Sequence, residues 1–257
     1  FDIELQRRWN KAMESGVFRY GIDHIVTKII PGSKQYVGQL NTLRATERRV
    51  PQEISSVNQP FNKQAFCFTM VKPQEVIFTL QNVTPHRSAE RSGPHTGQQR
   101  SGPHTGQQRS GPHTDEATRD ERHMVIVNVS PMEYGHCLLV PQIDSHRPQV
   151  LTQTGIQVAI ETMLLSGHRG LRMGFNSLCA FASVNHLHFH LYYLEQELIV
   201  DYHPVRHLGG RYFEFTGLPC PGFALQLYGT TVSEMASYRS SKTSWPAIDH
   251  QRHHGQL

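Results

Sequence analysis

The sequence is poor in cysteine and has no long apolar run. Its four cysteines are widely spaced without a CxxC pair, which excludes a structural zinc knuckle and a dense disulfide framework. We therefore expect reduced thiols and a cytoplasmic location. No apolar run approaches the roughly 20 residues that span a bilayer, so no membrane segment is expected. The chain opens on Phe1 rather than Met and shows no secretory signal, so we expect the true N-terminus to be missing.

Blocks of basic residues with interleaved aromatics are also lacking. The formal net charge is +4 at pH 7, and the basic residues are dispersed along the chain. We therefore expect no nucleic-acid partner. A smaller ligand that carries phosphate is compatible with this charge.

The patterns of apolar and β-branched residues predict an α+β fold, in which helices pack on an antiparallel sheet. Apolar residues at helical spacing predict helices over residues 2–15 and 149–166. β-Branched and aromatic runs predict strands over residues 25–30, 66–68, 76–80, 123–127, 137–140, 172–176 and 184–194, the fourth and fifth forming a hairpin. We expect one domain over residues 1–236 and a divergent, disordered tail over residues 237–257.

Residues 82–122 are polar and rich in Gly and Pro. The nine-residue unit Arg-Ser-Gly-Pro-His-Thr-Gly-Gln-Gln begins at Arg91, recurs at Arg100 and starts again at Arg109. Such a segment cannot bury enough apolar surface to offset the entropy of ordering it, so we expect a disordered surface loop. A metal-binding tract is the alternative, because a histidine recurs in each unit: His95, His104 and His113.

Three histidines alternate with apolar residues between Val184 and Tyr192. Alternate residues of a strand share one face, so His186, His188 and His190 would line one surface with roughly 6.6 Å between successive rings. The apolar residues between them would point to the opposite face and be buried, which fixes the register of the strand.

This triplet has three interpretations. Three imidazoles can hold a zinc ion with an open fourth position. A neutral imidazole can instead attack phosphorus with a helping ring on each side. The third interpretation is a solvent-facing strand that is rich in histidine and has no chemical role. As motif evidence, the triplet favours the second interpretation.

The run His-Leu-His-Phe-His-Leu-Tyr resembles the motif of the histidine triad superfamily. Other blocks resemble one branch of it, the GDP-D-glucose phosphorylases, which are relatives of plant GDP-L-galactose phosphorylase. The resemblance covers roughly residues 1 to 235 apart from the insertion, and separate blocks agree in order. These blocks are residues 18–20, 37–41, 48–52, 127–141 and 174–183.

The resemblance implies a histidine-triad-like sheet and phosphorolysis of GDP-D-glucose to GDP and glucose 1-phosphate. It implies that His188 becomes guanylylated and that His186 and His190 assist it. The implied partners are GDP-glucose and inorganic phosphate, and no cofactor or metal is expected. Such a nucleotidyltransferase passes through a covalent intermediate and shows ping-pong kinetics.

Other residues are candidate contacts of the substrate. Asn176 and Ser183 are similar in position to phosphate-contacting residues of triad proteins, with a turn residue and a packing residue as the alternatives. Asn128 and His136 flank the hairpin where family members build the nucleotide pocket. Three arginines have planar forks that suit phosphate, but we expect at least two of them on a solvated helical face: Arg44, Arg48 and Arg49.

The chain departs from the resembled family near Ser237. We expect most of that family's second, related half to be absent, so that the chain is truncated or altered there. One alternative function is a triad-type hydrolase that releases GMP, because His190 stands where many transferases of the superfamily carry Gln. The other is a catalytically silent nucleotide-binding fragment. A truncated pseudo-symmetric protein would expose an apolar face, which would allow a homodimer.

Overall fold

The computed structural model describes residues 1–81 and 122–237. The predicted repeats, their histidines and the tail after residue 237 lie outside these residues. The helices of the described part are α1 (Asp2–Glu14), α2 (Thr42–Glu47), α3 (Gln153–Leu164), α4 (Ile199–Tyr202) and α5 (Val232–Ser237). Its strands are β1 (Val26–Ile29), β2 (Val37–Leu40), β3 (Val76–Leu80), β4 (His123–Val127), β5 (Cys137–Val140), β6 (Leu171–Gly174), β7 (Phe189–Tyr193), β8 (Val205–Gly209), β9 (Tyr212–Phe215) and β10 (Phe223–Leu225).

A five-stranded sheet with the order β3-β4-β5-β7-β6 forms the centre of the fold. Every neighbouring pair in it is antiparallel. The strands β4 and β5 pair as a hairpin in which Met124 lies opposite Val140. The predicted α+β fold and the predicted hairpin are therefore confirmed. Two smaller antiparallel sheets, β1-β2 and β10-β9-β8, accompany it. Of their five strands, the sequence analysis predicted only β1.

One face of the central sheet is buried against α1 and α3. Leu5 and Trp9, from the predicted apolar face of α1, are buried in one cluster with Leu187, Phe189 and Leu191. Burying an apolar side chain of this size contributes roughly 1.5–3 kcal/mol. The prediction that the apolar residues between the histidines point into the core is confirmed.

The other face of the sheet is covered by loops instead of helices. Ile126 and Leu138 of the sheet pack with Phe68, Ile143 and Val184. The cover includes single turns of 3₁₀ helix at Phe68–Met70 and Ile143–Ser145. Polar side chains on this face are therefore shielded from solvent, and a cavity remains between the loops and the sheet.

Residues 66–68 do not form the predicted strand. The Gln52 side chain donates a hydrogen bond to the Phe66 carbonyl at 2.6 Å. The Phe68 N–H donates to Nδ1 of His186 at 3.2 Å. Because side chains satisfy these backbone groups, the segment makes a 3₁₀ turn at Phe68–Met70.

The strand predicted over residues 184–194 is shorter in the structure, because β7 covers only Phe189–Tyr193. Upstream of it, the Asn185 N–H donates to Oε1 of Gln52 at 3.0 Å. The His188 N–H likewise donates to Oε1 of Gln149 at 2.8 Å. Side-chain amides take the place of a neighbouring strand here, and an alternating sequence pattern does not reveal them.

The helix predicted over residues 149–166 is α3, which begins at Gln153. The Thr152 hydroxyl accepts a hydrogen bond from the Gly155 N–H at 3.0 Å, which caps the helix. Gln149 therefore lies before the helix, where it is fully buried.

All four cysteines are free, with Cys67 and Cys137 buried and Cys179 and Cys220 exposed. In residues 1–81 and 122–237, no helix is both long and apolar enough to pass through a bilayer.

Candidate active site

A cavity of about 440 Å³ lies on the loop-covered face of the central sheet. His188 and His190 line it, and Gly174, on the strand next to β7, lies opposite His190 and adds no side chain to the lining. Three of the predicted substrate contacts also line it: Asn128, Asn176 and Ser183. Two predicted site residues, His136 and His186, do not.

One ring nitrogen of His188 makes a hydrogen bond to the backbone two residues before it. Its Nδ1 lies 2.7 Å from the His186 carbonyl oxygen, and because a carbonyl only accepts, Nδ1 carries the proton. Burial lowers the pKa of His188 to about 4, so the ring is neutral at pH 7. A neutral imidazole has one N–H, so Nε2 keeps a free electron pair. The cavity therefore contains a nitrogen that can act as a nucleophile.

Gln149 fixes the backbone of His188. Its Oε1 accepts from the His188 N–H at 2.8 Å, and its Nε2 donates to the His188 carbonyl at 3.1 Å. The same Nε2 donates to the carbonyl of Asn176 at 3.0 Å. Gln149 thus connects the histidine segment to the end of β6. The sequence analysis missed this residue, since nothing local distinguishes a buried Gln from an exposed one.

His190 contacts a fourth histidine behind the cavity wall. Its Nδ1 lies 2.9 Å from Nε2 of His136, which is fully buried. The ring centroids of His188 and His190 are 5.2 Å apart. Burial is the main cause that lowers the pKa of His190 to about 3 and that of His136 well below 6.5. Both rings are therefore neutral at pH 7.

His186 is turned away from the cavity. Its ring stacks on Phe68 at 5.5 Å and on His146 at 5.9 Å between centroids. Its Nδ1 accepts from the Phe68 N–H, and burial lowers its pKa to about 4. His186 and His188 thus share the loop-covered face, since Phe68 contacts both rings, but His186 does not line the cavity, because Phe68 covers its ring.

These placements separate the three interpretations of the triplet. A solvent-facing strand is wrong, because His186 and His188 are both buried. A zinc ion would need three converging ring nitrogens, whereas the His186 ring does not line the cavity that His188 and His190 share. Across the part of the chain that the structure describes, no group of three His, Cys, Asp or Glu side chains is placed to hold a metal ion. The geometry favours the nucleophile.

The polar side chains of the lining are held by backbone contacts. Asn128 Oδ1 accepts from the Ser130 N–H at 3.1 Å. Asn176 Nδ2 donates to the Ala180 carbonyl at 2.9 Å, and its Oδ1 is buried without a hydrogen-bond partner in the described residues. These contacts fix the orientation of both amide groups.

Three arginines make the cavity electropositive. Arg44, Arg48 and Arg49 all line it. Arg44 lies in α2 and donates to the Ser130 carbonyl. The Arg49 guanidinium carbon lies 3.4 Å from the ring centroid of Phe66, and burial lowers the pKa of Arg49. The prediction that at least two of them share a helical face is wrong, because α2 ends at Glu47.

The chain was compared with known proteins and families. It matches the family model described as GDPGP1-like, N-terminal domain, over residues 1–104 and 101–192. It is 43% identical over 206 residues to GDP-D-glucose phosphorylase 1 of Danio rerio, which covers 80% of this chain and 50% of that protein. The Bos taurus protein of the same name is 40% identical over 225 residues, covering 87% and 51%. GDP-L-galactose phosphorylase 2 of Arabidopsis thaliana is 31% identical over 194 residues, covering 75% and 41%.

No solved structure gives a significant match. The chain spans about half the length of the animal relatives named above. The family model, in contrast, covers most of the chain. This protein therefore belongs to the GDPGP1-like N-terminal domain family.

Proposed function

We propose that this chain carries the nucleotidyl-transfer site of a GDP-hexose phosphorylase that acts on GDP-D-glucose. The observation that carries the proposal is the state of His188, which is buried, neutral and bonded through Nδ1 to the His186 carbonyl. Its remaining ring nitrogen is Nε2, and the ring lines a cavity that three arginines also line. The names of the relatives support the substrate class, because they are GDP-D-glucose and GDP-L-galactose phosphorylases.

In the first step, Nε2 of His188 attacks the phosphorus atom that carries the guanosine. An N–P bond forms while the bond from this phosphorus to the bridging oxygen breaks. The electron pair goes to that oxygen, and glucose 1-phosphate leaves. Positive charge develops on the ring of His188, and the His186 carbonyl stabilises it through Nδ1–H. His186 therefore assists through its backbone instead of its ring.

In the second step, an oxygen of inorganic phosphate attacks the same phosphorus. The N–P bond breaks, its electron pair returns to Nε2, and GDP is released. His188 is neutral again, and the cycle closes without any external oxidant or reductant. Because the first product leaves before the second substrate reacts, the enzyme shows ping-pong kinetics.

The lining stabilises the charge that builds up on the non-bridging oxygens. Arg44, Arg48 and Arg49 place positive charge in the lining of the cavity, and the His190 ring lies 5.2 Å from the ring of the nucleophile. Donors that are fixed before the reaction cost no reorganisation in the transition state. The amide and hydroxyl groups of Asn128, Asn176 and Ser183 complete the proposed contacts to the nucleotide.

The direct test is to incubate the purified chain with GDP-glucose, with and without inorganic phosphate, and to identify the nucleotide released. We expect GDP and glucose 1-phosphate only when phosphate is present, and no product from His188→Ala. The matched control is His207→Ala, because His207 is an exposed histidine on β8. GMP released without phosphate would contradict phosphorolysis and support a hydrolase.

A silent nucleotide-binding fragment is the second candidate. It is favoured by the arginine-lined cavity, which suits a diphosphate whether or not His188 reacts with it. A fragment of this kind would bind GDP and release no product, and its binding would be unchanged by phosphate. Calorimetry with GDP, run beside the product assay, separates this candidate from the phosphorylase.

A further inference from the structure

We propose that His136 is a positioning residue that holds His190 in the tautomer with its proton on Nε2, so that His190 offers an N–H to the phosphate. The inference rests on the proposed function for its purpose, although the tautomer itself is measurable without any turnover. It assigns to His136 a role behind the cavity wall, in place of the direct substrate contact that the sequence predicted.

The backbone N–H of Met132 fixes the tautomer of His136. The backbone N–H of Met132 lies 3.0 Å from Nδ1 of His136. A backbone N–H can only donate, so Nδ1 of His136 must accept and carries no proton. His136 is neutral, because burial keeps its pKa well below 6.5. Its single proton therefore lies on Nε2.

The proton on Nε2 of His136 then determines the state of His190. Nε2 of His136 lies 2.9 Å from Nδ1 of His190, so it donates and Nδ1 of His190 accepts. His190 is neutral as well, so its own proton is on Nε2. The chain of donors therefore runs from the Met132 N–H through His136 to His190.

Asn128 also lies within hydrogen-bonding distance of that nitrogen, but it cannot accept the proton. Its Nδ2 lies 3.1 Å from Nε2 of His136. Its Oδ1 accepts from the Ser130 N–H, which fixes the orientation of the amide and turns the NH₂ group toward His136. An NH₂ group can only donate, so it accepts no proton from His136, and its contact with the protonated Nε2 is not a hydrogen bond. The Nε2–H group of His136 therefore donates its hydrogen bond to Nδ1 of His190.

The result is a pair of neighbouring rings in opposite tautomers. His188 has its proton on Nδ1 and an electron pair on Nε2, whereas His190 has its proton on Nε2. The two rings are 5.2 Å apart between centroids. One ring can attack phosphorus while the other donates to an oxygen on the same phosphorus. The opposite tautomer of His190 would place an electron pair against that oxygen and repel it.

The fold holds His136 firmly in this position. Its backbone carbonyl accepts from the indole N–H of Trp9 at 3.3 Å. Its ring packs edge-on against Tyr192 at 5.2 Å between centroids. Because His136 lies in the turn that enters β5, its Nδ1 faces Met132 within that same turn. These contacts make the position of the ring a property of the fold and independent of the substrate.

The test compares two variants of the full chain by nitrogen-15 NMR of the histidine rings and by steady-state kinetics. In the unmodified chain at pH 7, we expect the His190 proton on Nε2 and the His188 proton on Nδ1. His136→Phe keeps an aromatic ring but removes the donor, so His190 should populate the other tautomer. Its kcat should fall roughly 100-fold, as for loss of one oxyanion donor, with little change in KM.

His136→Gln provides the rescue. Its amide NH₂ can donate to Nδ1 of His190, so the tautomer and most of kcat should be retained. A His190 proton on Nδ1 in the unmodified chain, or an unchanged His190 tautomer in a folded His136→Phe, would overturn the inference. If His136→Phe does not fold, the spectra of the unmodified chain and of His136→Gln decide the question. A chain that shows the expected tautomers but releases no product would contradict the proposed function and leave the positioning role intact.

Discussion

The side chain of Gln149 hydrogen-bonds both backbone groups of His188, accepting from its N–H at 2.8 Å and donating to its carbonyl at 3.1 Å. An amide side chain thereby replaces the neighbouring strand that the histidine segment lacks. The nucleophile is positioned by this contact and by the His186 carbonyl that accepts from its ring. Changes at Gln149 should therefore act on the reaction without any contact to the substrate.

Replacing Gln149 with Glu should impair both stability and turnover. The carboxylate keeps an acceptor for the His188 N–H but places an oxygen against two carbonyls in a fully buried site. We expect the free energy of unfolding to fall by about 3 kcal/mol, with kcat reduced more than the affinity for GDP. Urea unfolding and product release measure the two effects. The same exchange at the exposed Gln153 is the control, and equal behaviour of the two variants would contradict the role of Gln149.

Stability should depend on pH through the buried histidines. The pKa of His186 and of His188 is about 4 in the folded chain, against an ordinary value of 6.5. The unfolded chain therefore binds protons first as the pH falls. Stability is complete above pH 6.5 and is lost between pH 6.5 and about 4, by roughly 1.4 kcal/mol per pH unit for each histidine.

Urea unfolding between pH 4.5 and 8 measures this slope. His188→Gln should reduce the slope by about one proton, whereas His207→Gln should leave it unchanged, because His207 is exposed. A free energy of unfolding that is flat below pH 6.5 would show that these rings are not neutral in the folded chain.

Gly174 should matter for ligand binding and not for folding. It lies opposite His190 on the neighbouring strand, and a Cβ at this position would meet no protein atom within 4 Å. Gly174→Ala should therefore fold normally but extend a methyl group into the cavity and weaken GDP binding roughly fivefold, about 1 kcal/mol. Calorimetry with GDP checks this. Gly167→Ala, which also meets no atom within 4 Å and lies away from the cavity, should bind like the unmodified chain.

Arg48 should contribute to binding through its charge. It lines the cavity while remaining exposed, so it can reach a diphosphate without first breaking a buried contact. Arg48→Gln should weaken GDP binding roughly tenfold, about 1.4 kcal/mol, and reduce its dependence on salt. Arg7→Gln on α1 is the control, because Arg7 pairs with Glu4 on the surface. Equal GDP affinity of the two variants would show that Arg48 does not contribute to binding.

The sequence predicted the framework of the sheet because side-chain alternation has a direct physical cause. Leu187, Phe189 and Leu191 lie in the core as the pattern requires. The hairpin of β4 and β5 was also predicted, because two apolar runs flank a short turn. These features depend on local periodicity, which a single sequence displays.

The details of the site depend on contacts between distant residues, which local patterns do not display. Gln52 and Gln149 hold the chain before β7 across separations of more than thirty residues, and they turn a predicted strand into an irregular segment. Phe68, predicted to be in a strand, covers His186 instead. His136 was identified as a candidate, but only its neighbours reveal that it contacts His190 and not the cavity.

The covalent intermediate is the central claim, and intact-mass spectrometry tests it most directly. The purified chain is mixed with GDP-glucose in the absence of phosphate, and the protein mass is recorded before and after phosphate is added. The account predicts a gain of one guanylyl group that maps to His188, is absent from His188→Ala, and disappears as GDP when phosphate is supplied. A folded chain that releases GDP with phosphate but never gains this mass, or gains it at another residue, would contradict the account.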